Sequence, residues 1–112
     1  MMNNLELVQK QLEAYNAFDL EKFCACYHQE IIAKKLPEAK ILIQGMESFK
    51  STYQKLFLTH PQQNCVLKSR ILINDVVIDE EFISGRSNKP EGLHAVAIYG
   101  FRDGLIDRVW FS

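Results

Sequence analysis

The first quarter of the chain carries apolar residues at the spacing of two successive helices. A first amphipathic helix is predicted from one apolar face, which consists of Leu5, Val8, Leu12 and Tyr15. Residues 16–19 interrupt this period, and the Asp19 carboxylate is suited to cap a second helix. The apolar face of that second helix is predicted to comprise Leu20, Phe23, Cys24 and Tyr27.

The middle of the chain combines two short extended segments with a third helix. The extended segments are Glu30–Leu36 and Lys40–Gln44, with a turn at Pro37 between them. Gly45 then opens a helix whose apolar stripe consists of Met46, Phe49, Tyr53, Leu56 and Phe57. Pro61 marks the end of this helix, because the residue before a proline disfavours the helical conformation.

From Gln63 onwards the period of apolar residues changes to two, which is typical of strands. Four strands are predicted: Asn64–Asn74, Val76–Ser84, Leu93–Arg102 and Leu105–Phe111. The dipeptide Asp103-Gly104 fits a two-residue type I′ turn, because both central residues of that turn need positive φ. Without a bulge, this turn pairs Ala97 with Trp110.

Helices followed by consecutive strands predict an α+β fold. We expect a curved antiparallel sheet wrapped around the three helices of the N-terminal half, because a twisted sheet of about six strands curls around the helices that pack on it. The concave end of such a cone favours a pocket. With 112 residues, the whole chain (1–112) is expected to form one domain.

Composition excludes several classes of function. Apolar residues make up 47% of the chain and the formal net charge is −1, which disfavours nucleic acid as a partner. No apolar run approaches the roughly 18 residues of a membrane span, and the first residues lack a signal-peptide pattern, so we expect no membrane partner and a cytoplasmic protein. The three cysteines are interpreted as packing thiols, and the three histidines lack metal-ligand spacing, so we expect neither a metal nor another cofactor.

Four segments in this order resemble the SnoaL-like branch of the nuclear transport factor 2-like superfamily: AYNAFDLEKFCACYHQE, ILIQGMESFKSTYQKLF, VVIDEEFISG and AIYGFRDGLIDRVWF. The resemblance implies a cone-shaped fold with a pocket and a dimer. It also implies several chemistries, among them ketosteroid isomerase, scytalone dehydratase, limonene epoxide hydrolase and polyketide cyclase, besides members without enzymatic activity. A shared fold does not choose between them.

The resemblance also allows a test for ketosteroid isomerase. Aligned on Asn16–Leu20, the oxyanion tyrosine of that enzyme falls at Gln11 and its general-base aspartate falls at Lys34–Leu36, where no acid is present. Its second oxyanion acid falls near Ala97, and only a supporting tyrosine is retained, at Tyr53. The groups that would remove a proton and stabilise an enolate are therefore missing from these positions.

Three consecutive acids, Asp79, Glu80 and Glu81, lie in the middle of a predicted strand, where acids are unusual. They can form a solvated outer face or pair with Arg70 or Arg86. Alternatively, one of them is a desolvated pocket carboxyl suited to proton transfer. Glu80 is the first candidate, since pairing Ser84 with Leu93 places it on one face with Ala97.

The strands and the third helix supply the other candidate pocket residues, although each of these side chains can also serve core packing. They are Tyr53, Phe57, Leu36, Ala97, Tyr99 and Trp110. We therefore expect a domain that binds a hydrophobic small molecule, with an isomerase-, dehydratase- or cyclase-like activity left open. The alternative is a non-catalytic dimerisation or protein-interaction module.

A homodimer formed through the sheet is expected in either case. The sheet face without helices would otherwise expose apolar surface, which we assign to Val77, Ile83, Val96, Ile98, Val109 and Phe111.

The missing base leads to a first testable expectation. Purified protein should not isomerise a Δ5-3-ketosteroid, because Lys34–Leu36 offers no carboxylate to take the proton. Absorbance of the conjugated enone product measures the reaction directly. Turnover on the order of tens per second would show that the alignment of these segments is wrong.

Overall fold

The computed structural model describes residues 2–112, and Met1, the first residue of the predicted domain, lies outside them. The helices are α1 (Asn4–Asn16), α2 (Leu20–Ala25) and α3 (Met46–Thr59). The strands are β1 (Tyr27–Lys35), β2 (Lys40–Gln44), β3 (Asn64–Ile73), β4 (Val76–Ser84), β5 (Leu93–Arg102) and β6 (Leu105–Phe111). The α+β class, with three helices against one six-stranded sheet, is confirmed.

Side-chain caps fix where the first two helices begin. The Asn3 side chain accepts a hydrogen bond from the Glu6 amide at 2.8 Å, and the predicted cap Asp19 accepts one from the Lys22 amide at 3.1 Å. Helix α2 is shorter than predicted, because the chain enters the sheet at Tyr27. The Ile106 amide donates to the Cys26 carbonyl at 3.0 Å and thereby draws this segment alongside β6.

The sheet has the order β2-β1-β6-β5-β4-β3. All neighbouring strands are antiparallel except β1 and β6, which run parallel and join the two parts of the sheet. The predicted antiparallel sheet thus contains one parallel pair, and this pair connects strands that are distant in sequence.

A bulge in β6 changes which residues face each other across the last hairpin. Arg102 pairs with Leu105 as expected, but Asp107 has no partner in β5, so Trp110 lies opposite Ile98 instead of Ala97. One extra residue in a strand reverses the side-chain alternation beyond it. The predicted pairing of Ala97 with Trp110 is therefore wrong.

The register of β4 against β5 differs from the expected one by a single residue. Ile83, not Ser84, pairs with Leu93, and Glu81 consequently pairs with Ala95. At the end of β4, Gly85 has φ +81°, and a Cβ there would lie 2.1 Å from the Gln62 carbonyl oxygen. This close approach requires glycine and ends the ladder before residue 85.

The helices cover one face of the sheet, the inner face, and an aromatic core fills the space between them. The Phe23 and Phe49 rings stack with centroids 5.5 Å apart, and Phe49 lies 4.4 Å from the Tyr27 ring. Every second residue of β4 is buried on this face, and this set comprises Val77, Asp79 and Glu81.

The opposite, outer face of the sheet carries apolar residues without helices over them. They are Val66, Ile71, Ile73, Ile78, Phe82, Val96, Ile98 and Trp110, of which Ile73 is 50% exposed. Only Val96 and Ile98 of the predicted interface set lie here. The other four, Val77, Ile83, Val109 and Phe111, lie on the inner face because of the two register changes. None of the helices in residues 2–112 is long and apolar enough to cross a membrane.

Candidate ligand cavity

A cavity of about 410 Å³ lies between the helices and the inner face of the sheet. Its apolar wall combines aliphatic side chains with aromatic ones, and the aromatic ones include Phe23, Tyr27, Tyr53, Tyr99 and Phe111. Its polar groups come from Gln11, Tyr15, Lys35, Cys65, Glu81 and Arg86. An apolar, concave space with a few polar groups is the usual form of a small-molecule site.

Glu81 supplies the carboxyl group on the cavity wall. Its side chain is 7% exposed and forms no ion pair with any of residues 2–112. Burial and, to a smaller extent, the nearby Asp79 carboxylate raise the pKa of this carboxyl, whereas the Cys65 thiol and Arg70 lower it, and the net result is a pKa of about 7. Glu81 can therefore both accept and donate a proton near neutral pH.

Asp79, two residues earlier on the same face, is compensated by a cation. The Arg70 guanidinium donates to both carboxylate oxygens of Asp79, at 2.7 and 2.9 Å, and its third nitrogen donates to Gln9 at 2.8 Å. The hydrogen bond with Asp79 raises the pKa of Arg70. For Asp79, this bidentate ion pair confirms the prediction that an arginine pairs with one of the three consecutive acids. Glu81 is then the desolvated carboxyl of the three.

The structure corrects the assignment of Glu80 as the cavity carboxyl. Glu80 lies on the outer face, where its carboxylate contacts the His94 Nε2 at 2.6 Å and accepts a hydrogen bond from the Ser69 hydroxyl at 2.9 Å. Hydrogen bonds from His94 and Ser69 lower the pKa of Glu80. The register of β4 against β5 explains the error, because a shift of one residue moves every side chain to the other face.

A chain of hydrogen bonds orients two tyrosine hydroxyls at the cavity. Tyr27 donates to the Gln11 side-chain oxygen at 2.7 Å, and the Gln11 amide donates to the Tyr99 hydroxyl oxygen at 3.2 Å and to the Val8 carbonyl at 3.0 Å. Burial raises the pKa of both tyrosines well above the ordinary value, so both phenols stay protonated. Since the Tyr99 oxygen accepts from Gln11, its own proton is available to a ligand.

Tyr53 places a further hydroxyl on the cavity wall. This hydroxyl forms no hydrogen bond with the side chains or backbone of residues 2–112, and burial raises its pKa, so it too remains a donor. A buried phenol usually has a hydrogen-bond partner, and a ligand in the cavity would provide one.

The other predicted pocket residues occupy different places. Phe57 is buried against the rings of Tyr15 and Phe18, at 5.5 and 5.4 Å, and Ala97 is fully buried in the inner face. Leu36 follows β1 and its amide donates to the Phe111 carbonyl at 2.7 Å. These three do not line the cavity, whereas Tyr53 and Tyr99 do.

The predicted position of Trp110 on the pocket wall is also wrong. Trp110 lies on the outer face opposite Ile98, because the bulge at Asp107 turns Phe111 into the cavity in its place.

Of the residues that line the cavity, the sequence predicts only Tyr53 and Tyr99 as ligand contacts, besides the acidic segment that contains Glu81; Cys65, Arg86 and Phe111 are among those it misses. The one local signal was the glycine before Arg86, since a glycine at a strand end often marks a close approach of two backbone segments. Within residues 2–112, no group of three or more histidines, cysteines or acids could hold a metal ion.

Comparison with known proteins assigns the chain to one family. The sequence profile of the SnoaL-like domain matches residues 8–109. No curated protein matches the sequence.

Among solved structures, an uncharacterised cystatin-fold protein from Novosphingobium aromaticivorans has a TM-score of 0.90 at 23% identity, covering 100% of this chain and 99% of that one. A proposed polyketide cyclase from Sinorhizobium meliloti has a TM-score of 0.82 at 13% identity, over 96% and 94% of the two chains. A proposed ketosteroid isomerase from Kribbella flavida has a TM-score of 0.78 at 16% identity, over 95% and 73%. At these identities the likeness establishes the fold.

The environment of Glu81 predicts how stability depends on pH. Its folded pKa of about 7 exceeds its ordinary value of 4.5, so ionisation destabilises the folded state as pH rises from about 4.5 through 7. Glu81→Gln removes this effect and should be about 3 kcal/mol more stable than the wild type at pH 8.5. The difference should vanish at pH 4, where the wild-type carboxyl is protonated in both states.

Urea unfolding at both pH values measures the change in free energy of unfolding. Glu80→Gln is the matched control on the same strand and should not gain stability at pH 8.5, because its carboxyl is exposed on the outer face. Equal effects of E81Q at pH 4 and pH 8.5 would contradict the raised pKa of Glu81.

Proposed function

The chain belongs to the SnoaL-like domain family, and from that premise we propose that its cavity binds a hydrophobic small molecule on which Glu81 acts as a general acid or base. The observation that carries the proposal is the state of Glu81: a buried carboxyl on the cavity wall, without an ion-pair partner in the described chain, and with a pKa of about 7. A general base works best when its pKa lies near the working pH.

The tyrosines support the same chemistry. When a base removes a proton next to a carbonyl group, negative charge develops on the carbonyl oxygen, and neutral donors in a dry site stabilise it. The hydroxyls of Tyr99 and Tyr53 are such donors, because burial keeps both phenols protonated. An isomerase, a dehydratase and a cyclase acting on a carbonyl compound all need this combination of a proton acceptor and an oxyanion donor.

This arrangement differs from the one that the family resemblance implies for steroid isomerase. The carboxyl lies on β4, whereas the alignment looks for the base at the end of β1, and Gln11 replaces the oxyanion tyrosine. The proposal therefore names a reaction class, proton transfer next to a carbonyl of an apolar substrate, and does not extend to ketosteroids.

Deuterium exchange tests the chemical step without knowledge of the physiological substrate. A panel of apolar ketones in D2O buffer, followed by proton NMR, should reveal compounds whose α-protons exchange faster with protein than without it. The rate should rise with pH around 7, because the ionised Glu81 is the acceptor. Glu81→Gln should lower it by about 100-fold or more.

Glu80→Gln again serves as the control, and it should leave the exchange rate unchanged since its carboxyl faces away from the cavity. Binding of the ketones with no exchange above background, or exchange equally fast in E81Q, would refute the role of Glu81 as a base.

The apolar outer face supports a second proposal, on assembly. We propose that two copies of the chain pack through this face as a symmetric dimer. Ile98 lies at its centre, between Ile78 of β4 and Trp110 of β6, and the exposed Ile71 and Ile73 continue the surface on β3. This face is largely apolar, although it also carries the polar cluster of Ser69, Glu80 and His94. An exposed apolar surface of this kind is typical of an interface, and a second copy presents the same surface in return.

Light scattering coupled to gel filtration should give about twice the chain mass of 13.0 kDa at micromolar concentration. Ile98→Arg should shift the protein to a monomer, because an unpaired charge at the centre of the face is costly to desolvate. Leu58→Arg, at a 77% exposed position on α3, should remain dimeric. A wild-type protein that stays monomeric at high concentration would rule out this assembly.

A further inference from the structure

A second polar cluster at the cavity is formed around Arg86, and its hydrogen bonds do not include Glu81. The Arg86 Nη2 donates to the Tyr15 hydroxyl at 3.0 Å, and its Nε donates to the Gln63 side-chain oxygen at 3.2 Å. The Tyr15 hydroxyl in turn donates to the same Gln63 oxygen. Tyr15 and Gln63 are 8% and 3% exposed, so two buried side chains from separate elements orient this guanidinium.

The backbone places Arg86 at this position. Gly85 packs directly on the segment Gln62–Gln63, where any side chain at residue 85 would clash with the Gln62 carbonyl and with the Gln63 Cα. The backbone that follows β4 therefore contacts residues 62–63 directly. The Arg86 side chain then lies along Gln63 and reaches the cavity wall. Its position is therefore determined by the fold.

The charge of Arg86 lacks a partner. Two of the five N–H groups of a guanidinium are used, by Tyr15 and Gln63. No carboxylate in residues 2–112 forms an ion pair with Arg86, in contrast to Arg70, whose charge is matched by Asp79. A partly buried cation that is held by neutral side chains and lines a cavity is suited to an anion of the ligand.

We propose that Arg86 is the ligand's carboxylate anchor, so that the molecule bound in the cavity is a hydrophobic organic acid. This inference rests on the proposed binding function of the cavity and adds the chemical class of its ligand. The free N–H groups of Arg86 match the two oxygens of a carboxylate, and the aromatic wall formed by Phe23, Tyr27 and Phe111 accepts an apolar body.

Matched pairs of ligands isolate the contribution of the negative charge. Arylacetic acids that carry one aromatic ring, or two or three fused aromatic rings, are compared with their neutral amides by isothermal titration calorimetry at pH 6. At this pH the ligands are ionised and Glu81 is mostly protonated. The wild type should bind the best acid at least about tenfold more tightly than its amide, as expected for a charge-assisted hydrogen bond.

Two substitutions of Arg86 test the anchor. Arg86→Gln should abolish the preference for the acid, whereas the affinity for the neutral amide should change much less, because the amide has no charge for residue 86 to match. Arg86→Lys keeps a positive charge without the planar fork and should retain part of the preference. Thermal unfolding of each variant verifies that the domain remains folded.

Lys35 is the matched control, since it is the other cation that lines the cavity. Lys35→Gln should keep the preference for acids. Loss of the preference in K35Q but not in R86Q would overturn the assignment of Arg86. Equal binding of acids and amides by the wild type would refute the anchor and leave the cavity as a binding site. Failure of every compound in the panel to bind would refute the proposed binding function, and the anchor with it.

Discussion

The register of β4 decides what the cavity contains. Three consecutive acids occupy this strand, and strict alternation sends two of them to the inner face and one to the outer face. The tight contact of Gly85 with residues 62–63 ends the ladder so that Ile83 is the last paired residue of β4 with β5. A shift of one position would place Glu80 on the inner face and move Asp79, with its partner Arg70, and Glu81 to the outer face.

The two acids that face inward, Asp79 and Glu81, differ in whether a cation compensates their charge. Asp79 is matched in geometry and charge by Arg70, and neither residue lines the cavity. Glu81 has a thiol as its neighbour, which compensates no charge, and desolvation therefore controls its ionisation. Arg86 is the complementary case, a cation supported by neutral groups. The cavity wall thus contains an acid, Glu81, and a cation, Arg86, that no ion pair within residues 2–112 neutralises, among side chains that are largely apolar or phenolic.

Much of the fold could be predicted from the sequence. The apolar stripe of α3, the cap at Asp19 and the turn at Asp103-Gly104 each depend on local chemistry, and the structure contains all three.

Which side of each strand faces the helices could not be predicted in the same way. Segments such as Val76–Ile83 carry apolar residues on both sides, because the outer face of this sheet is apolar as well, and alternation then gives no indication of which side is inner. The sequence gives no indication of the bulge at Asp107 either, since apolar residues of β6 face inward in both registers. For these reasons the predicted inner positions of Glu80 and Trp110 are wrong, whereas Tyr53 and Tyr99 lie on the cavity wall.

The single parallel pair in the sheet has a consequence for how the protein folds. Strand β6 lies between β1 and β5, so the backbone hydrogen bonds of the sheet join the β1–β2 hairpin to the β3–β4–β5 meander only through β6. The pairing of Tyr27 with Ile106 closes a loop that spans most of the sequence. Contacts between such distant residues slow folding, because the chain loses much of its conformational entropy before the contact stabilises it. During synthesis on the ribosome, each half of the sheet could form early, but the cavity would take shape only after the final strand had emerged.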